Sequence, residues 1–230
     1  MNPSSKPRTP SRKAPKARRQ PDQARQAILK AALLEFAQEG MAGARIDHIA
    51  RAARVNKALL YYYFKDKEQL YGAVLDQVFS GLAERINEVL DRDLPPREKV
   101  LAYAAAHFDY IAASPLYPRV VQREMMRAGR AGSPHICRMV EQFLRPVQMR
   151  LGELFRTGMQ SGDFRPVDAA HFVFSIVAMN VFYFSSAPVI ALLSHSDPLA
   201  PAAVAARRAA VLDLIAAALF APPTAGGCHA

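Results

Sequence analysis

Lys57, Ala58, Tyr61 and Tyr62 lie within the run KALLYYYF at spacings that bring them to one side of a short helix. Together they offer a cation, a small methyl and two phenols. Such groups suit nucleic acid, because ammonium and phenol donate to phosphate oxygens and a small methyl can approach a thymine methyl in the major groove. Leu60 and Phe64 fall on the other side, as a core-facing pair should. Asn56 precedes the run and suits an N-cap, since its amide oxygen can accept from the free N–H groups of the first turn. Upstream, Ile46, Ile49, Ala50 and Ala53 keep helical spacing, and Arg54-Val55-Asn56 interrupts it. Two short helices about a tight corner, the second with a basic, hydroxyl-rich outer face, describe a DNA-binding helix-turn-helix.

Other chemistries find little support. His48, His107, His135, His171, His195 and His229 are scattered, and the chain has no HExxH, no glycine-rich phosphate loop and no GxSxG. His135 and Cys137 stand two apart, a spacing that does not favour joint ligation from a helix. No enzyme, no metal site and no cofactor is expected. The two cysteines, Cys137 and Cys228, are far apart, which points to a reducing compartment and no disulfide framework. The N-terminus lacks the apolar stretch of a secretory signal, so a cytoplasmic protein is expected.

The chain has 230 residues and a formal charge of +10, but seven of those charges, from Lys6 to Arg19, lie in the first twenty residues without an acid. The remainder is only mildly basic, so net charge argues weakly for DNA. Residues 1–21, rich in Pro, Ser, Lys and Arg, read as a disordered basic tail. It is either an arm on DNA phosphates or an A·T-rich minor groove, or a solvated tail. A first helix is expected over Asp22–Gly40, with Leu29, Leu33 and Phe36 inward and Gly40 closing it. Lys67 to Leu90 reads as one long helix with Asp66 as its cap, and it belongs to both halves of the chain. Further helices are expected over Arg97–Ala113, Tyr117–Ala128, Pro134–Ser161, Val167–Ser186 and Pro198–Phe220, with residues 221–230 a flexible tail. No strand pattern occurs.

From Ala169 to Ser196 there is no Asp, Glu, Lys or Arg, and Phe172–Leu193 is long enough for a bilayer. Pro188, Asn180, Ser185 and Ser186 interrupt it, and no Lys/Arg cluster flanks it. A buried helix or a subunit interface is the preferred reading, with no membrane partner. Val204, Val211, Leu212, Ile215 and Leu219 offer a second apolar face. Two such helices from each of two chains would form a four-helix homodimer interface. The residues expected there are Phe172, Ile176, Met179, Tyr183, Val211, Leu212, Ile215 and Leu219.

The stretch IDHIARAARVNKALLYYYFKDKEQL resembles the DNA-binding domain of TetR-family transcriptional repressors. The family pattern is met by Ile49-Ala50, by Ala53, Val55, Asn56 and Lys57, by Leu60, Tyr61 and Phe64, and by Lys65, Lys67, Glu68 and Leu70. The resemblance covers about the first third of the chain. It implies an all-α fold: an N-terminal three-helix DNA-binding domain (22–66), joined by a long helix to a larger helical ligand-binding and dimerisation domain (67–220). It also implies a homodimeric repressor on a palindromic operator in double-stranded DNA, released by a small-molecule ligand. A ligand-independent, architectural DNA-binding protein is the alternative.

The residues expected at DNA are Arg45, Arg54, Asn56, Lys57, Ala58, Tyr61, Tyr62, Tyr63 and Lys67, with core packing the rival role for Tyr62 and Tyr63. Arg45 stands where the family often has Thr, Arg54 where Gly is usual, and Ala58 where many relatives carry a larger residue. A left-handed Arg54 would cost about 1 kcal/mol. For the ligand pocket that the resemblance implies, the residues expected are His107, Phe108, Arg123, Met125, Met126, Met149 and Phe155. An ordinary helical core is the rival reading for them.

Overall fold

The computed structural model describes residues 19–131 and 133–221; the basic tail up to residue 18 and the segment 222–230 lie outside the described residues. The chain is all-α. Helix α1 spans Arg19–Gly43, α2 Ile46–Ala52, α3 Lys57–Tyr63 and α4 Lys67–Leu90. They are followed by α5 Pro96–Ala113, α6 Tyr117–Ala131, α7 Pro134–Met139 and α8 Arg145–Gln160, then α9 Ala169–Ser185, α10 Ala187–Ser194 and α11 Pro201–Leu219. Among the described residues the only β pairing is one isolated antiparallel bridge, Phe164 to Phe220.

Helix α1 begins at Arg19, three residues before the expected Asp22, so the stretch expected as tail enters a helix. Gly40 has φ +69° and ψ 174°, a left-handed break that glycine tolerates, and the helical path resumes for Met41–Gly43. Ile28, Leu29, Ala32 and Phe36 are buried, and α2 adds Ile49 and Ala50, α3 Leu60. These side chains knit α1, α2 and α3 together.

Helix α4 is the spine. Leu70, Val74, Val78, Leu82, Ile86 and Val89 are all buried along it. It packs on α1, α5, α7 and α8. Asp66 caps it, accepting the Gln69 N–H at 2.7 Å, while the Gln69 side chain accepts the Lys65 N–H at 2.7 Å. The run expected as one helix over Pro134–Ser161 ends at Gln160 and widens into a π turn at Val140–Leu144. Pro146 follows and has no N–H to offer the preceding turn, which accounts for the local widening.

The end of the chain is riveted to the body. Arg165 N–H donates to Leu219 O at 3.0 Å and Ala221 N–H to Asp163 O at 3.0 Å. Arg97 reaches from α5 to Asp163 at 3.1 Å and lies 5.1 Å from the centre of the Phe220 ring, which stacks on Phe164. Gly158 makes this possible, because a Cβ there would stand 2.3 Å from the Phe164 ring.

Among the described residues no single helix is long and apolar enough to cross a membrane, and the apolar pair α9–α10 bends by 65°. The turn comes at Ser186, and Pro188 sits in the first turn of α10, where its missing N–H costs nothing.

Candidate nucleic-acid interface and second unit

The helix-turn-helix is built by local hydrogen bonding. Asn56 Oδ1 accepts the Leu59 N–H at 2.7 Å and starts α3. Arg54 takes φ +57°, so the corner is left-handed without a glycine. Arg45 precedes α2 and makes no side-chain cap. Glu35 of α1 supplies the missing acceptor: its Oε1 takes the Arg45 N–H at 3.0 Å and lies 3.3 Å from His48 Nδ1. Nothing in the α2 sequence announces that long-range cap.

With Leu60 fully buried and Phe64 almost so, α3 turns its other side outward. Lys57 and Ala58 are exposed, Tyr61 keeps 48% of its surface and Tyr62 80%. Tyr62 is therefore free of the core. Tyr63 is half-buried and packs on the core, with its ring edge-on to Tyr62 at 5.2 Å. Lys57 pairs with Asp47 across the corner. Both groups are exposed, so this is a weak pair that an incoming phosphate can break. Arg45 and Arg54 are exposed.

Lys67 is the exception among the expected phosphate ligands. Its Nζ donates to Ala42 O and Ala44 O, both at 3.2 Å. It satisfies one carbonyl in the last turn of α1 and one just beyond it, fixing that end to the start of α4 with one of its three N–H donors left over. Its first role is structural.

Behind α3, the first turns of α4 enter a polar network whose centre, Glu124, is buried while Glu68 and Arg127 reach the surface. Tyr71 donates to Glu124 at 2.8 Å, Ser133 donates to the same carboxylate, and Arg127 bridges Glu68 at 3.1 Å and Glu124 at 3.6 Å. His135 Nε2 lies 2.6 Å from Glu68. Burial, followed by the Glu124 carboxylate, raises the Tyr71 phenol well above its ordinary value. Burial alone would raise the Glu68 carboxyl, but His135 and Arg127 outweigh it and hold it below the ordinary value. The network joins the helix after the recognition element to α6 and α7. Sequence reasoning missed it, because its members are up to 67 residues apart.

In the second unit the expected pocket residues do not converge. Met125, Met126 and Met149 are 56%, 72% and 72% exposed, so they lie on the chain's outside, and of the three only Met149 lines a cleft, an open one of about 590 Å³ shared with Leu94 and Lys99. Arg123 is also exposed. It donates to Gln38 O at 2.6 Å and caps the end of α1, because the left-handed Gly40 leaves that carbonyl open. His107, Phe108 and Phe155 are buried. Phe108 meets Phe184 at 5.1 Å, and Phe155 meets Phe164 and Phe172 at 5.5 and 5.7 Å. His107 Nδ1 lies 3.0 Å from Asn180 Nδ2, which also reaches Ala104 O at 3.3 Å. Because the amide donates, Nδ1 accepts and the imidazole proton sits on Nε2. Burial pushes the His107 pKa down to about 4. Asn180 Oδ1 is buried with no hydrogen-bond partner among the described residues. Asn180 was no candidate in the sequence, although an amide in an otherwise apolar helix was the available signal.

The expected interface residues divide in two. Ile176, Val211, Ile215 and Leu219 are essentially fully buried in the chain's own core, so they cannot meet a second chain. Phe172, Met179 and Leu212 are half-buried against that core, and Tyr183 donates to Pro198 O at 2.6 Å. The exposed apolar residues are their neighbours: Phe174 and Phe182 on α9, at 74% and 71%, and Leu214 on α11, at 53%. Both sides of α9 are apolar, so the spacing alone leaves its phase open, and it is the Phe174–Phe182 side that is exposed.

A family model described as "Bacterial regulatory proteins, tetR family" matches residues 28–74, and one described as "Tetracyclin repressor-like, C-terminal domain" matches residues 96–215. The chain is 35% identical over 164 residues to the HTH-type transcriptional repressor SCO4008 of Streptomyces coelicolor, covering 71% of this chain and 79% of that protein. It is 31% identical over 166 residues to the HTH-type transcriptional regulator RutR of Escherichia coli, covering 72% and 76%. Among solved structures, the putative transcriptional regulator SCO4942 from Streptomyces coelicolor superposes with a TM-score of 0.65 at 29% identity, covering 86% of this chain and 99% of that one.

Proposed function

The chain belongs to the TetR family of transcriptional regulators, with an N-terminal helix-turn-helix DNA-binding domain, and on that footing we propose a ligand-released, homodimeric, cytoplasmic repressor. The observation that carries the DNA-reading assignment is the exposed face of α3. Ala58, Tyr61 and Tyr62 share that face while Leu60 holds the helix from behind. In the proposed complex Ala58 and Tyr61 lie against base edges, and Lys57, released from Asp47, joins Tyr62, Arg45 and Arg54 on phosphates. Asn56 sets the first turn of α3, and Tyr63 supports Tyr62 from the protein side.

Dimerisation is assigned to the exposed stripes of α9 and α11. Phe174, Ala178 and Phe182 are spaced one turn apart on α9, and Ala206, Ala210, Leu214 and Ala217 do the same on α11. Small residues let helices approach closely and aromatics fill the seam, which suits a four-helix contact between two copies. Two recognition helices would then meet successive major grooves of a palindromic site, about 34–36 Å apart. The ligand is assigned to the second unit, beside the buried His107–Asn180 pair. A mainly apolar molecule with a hydrogen-bond donor would satisfy Asn180 Oδ1. It releases DNA only by favouring a dimer geometry that the operator disfavours.

The experiment is selection of a duplex from a random pool, then titration of purified wild type and Tyr62→Ala. The reading requires a palindromic selected site and at least tenfold weaker binding by the variant at unchanged helicity. Enrichment of no sequence, or equal affinity, would sink it and favour an architectural protein.

A further inference from the structure

A cleft of about 850 Å³ opens between the DNA-reading unit and the helices behind it. Ala31 and Leu34 of α1, Val78 of α4, Tyr110 of α5 and Leu116 line it. The Tyr110 hydroxyl is occupied, donating to Val78 O at 2.7 Å, so that residue presents its ring. Leu34 leaves 44% of its surface exposed. The lining is therefore mostly apolar and its size falls within the range of small-molecule sites.

The charges on it are one-sided. Lys30 and Arg54 line the cleft, and no Asp or Glu does. Neither cation has a hydrogen-bond or ion-pair partner among the described residues, whereas Arg97, Arg138, Arg150 and Arg208 each hold an aspartate. Two unpaired cations beside an apolar cavity without a carboxylate complement an anion that carries an apolar body. We propose that this cleft binds an amphiphilic carboxylate: an aliphatic chain lying against Ala31, Leu34, Val78 and the Tyr110 ring, with its head group on Lys30 and Arg54. The site is separate from the buried His107–Asn180 pair, and the occupant would touch both the helix-turn-helix corner and the spine helix α4.

The test is equilibrium dialysis of radiolabelled decanoate, below its micelle-forming concentration, against the full chain without DNA. Saturable binding is expected, resisting inorganic phosphate and decyltrimethylammonium. Lys30→Gln, at an exposed position, should weaken it about tenfold, the equivalent of one charge-assisted hydrogen bond. Ala113→Trp, at an exposed position in the lining, should weaken it independently by obstructing the cleft. The proposal is overturned by absence of saturable binding, by equal displacement with the cationic analogue, or by affinity that survives both substitutions. Loss on Asn180→Ala alone would also overturn it, by placing decanoate in the core. With no DNA present, none of these results bears on DNA reading.

Discussion

Arg54 holds a left-handed backbone that favours glycine, and its side chain has no partner among the described residues that would offset the strain. Arg54→Gly should be more stable than Arg54→Ala by about 1 kcal/mol, since both remove the guanidinium but only one removes the Cβ clash. Thermal or urea unfolding of the two variants checks this; equal stability would mean the corner relaxes. His107 gives a pH signature. Its folded pKa of about 4 lies below the ordinary 6.5. Between those values the unfolded chain binds the extra proton, so stability rises with pH across that window and is lost as pH falls from 6.5 towards 4. The loss from this one group is about 3 kcal/mol at most. Urea midpoints at pH 7 and pH 4.5 should show that fall, and it should shrink in His107→Gln.

At the scale of elements, α3 depends on its cap. Asn56→Ala removes the acceptor for Leu59 N–H and should cost about 1 kcal/mol, with operator affinity falling as the first turn frays. Lys67→Ala should lower stability as well as DNA affinity, because its ammonium holds Ala42 O and Ala44 O. A variant that binds DNA poorly at full stability would restore Lys67 as a simple phosphate ligand. In α8, Gly158→Ala pushes a methyl into the Phe164 ring. It should loosen the rivet at Phe220, read as a lower thermal midpoint. An unchanged midpoint would mean the Phe164 ring can move aside.

Across the whole molecule, sequence reasoning was strongest where periodicity and local capping decide. The helix-turn-helix, the Asn56 and Asp66 caps and the α4 spine all follow from neighbouring residues, and the structure reproduces them within a few positions. It was weakest where contacts join distant segments. Glu35 capping α2, Arg123 closing α1 and the Glu68–Arg127–Glu124 network cannot be inferred from spacing. Met125, Met126 and Met149 misled because methionine is abundant in adaptable cavities, yet these three sit on the outside. Helix α9 misled because a helix apolar on every side has no phase to read, so Ile176 was sent outward and Phe182 overlooked. The corrected phase predicts that Phe182→Asp, at an exposed site, converts a dimer to monomers in sedimentation while leaving helicity intact. A wild-type monomer would contradict the dimer, and a variant that remains dimeric would move the interface elsewhere.

The most direct test of the account is a footprint of the wild-type protein on its selected operator, compared with Tyr62→Ala and Phe182→Asp. Two protected major-groove segments about one helical turn apart are expected. Both should be lost together in Phe182→Asp and weakened equally in Tyr62→Ala. A single protected segment, or protection unchanged in both variants, would contradict a dimer that reads DNA through the exposed face of α3.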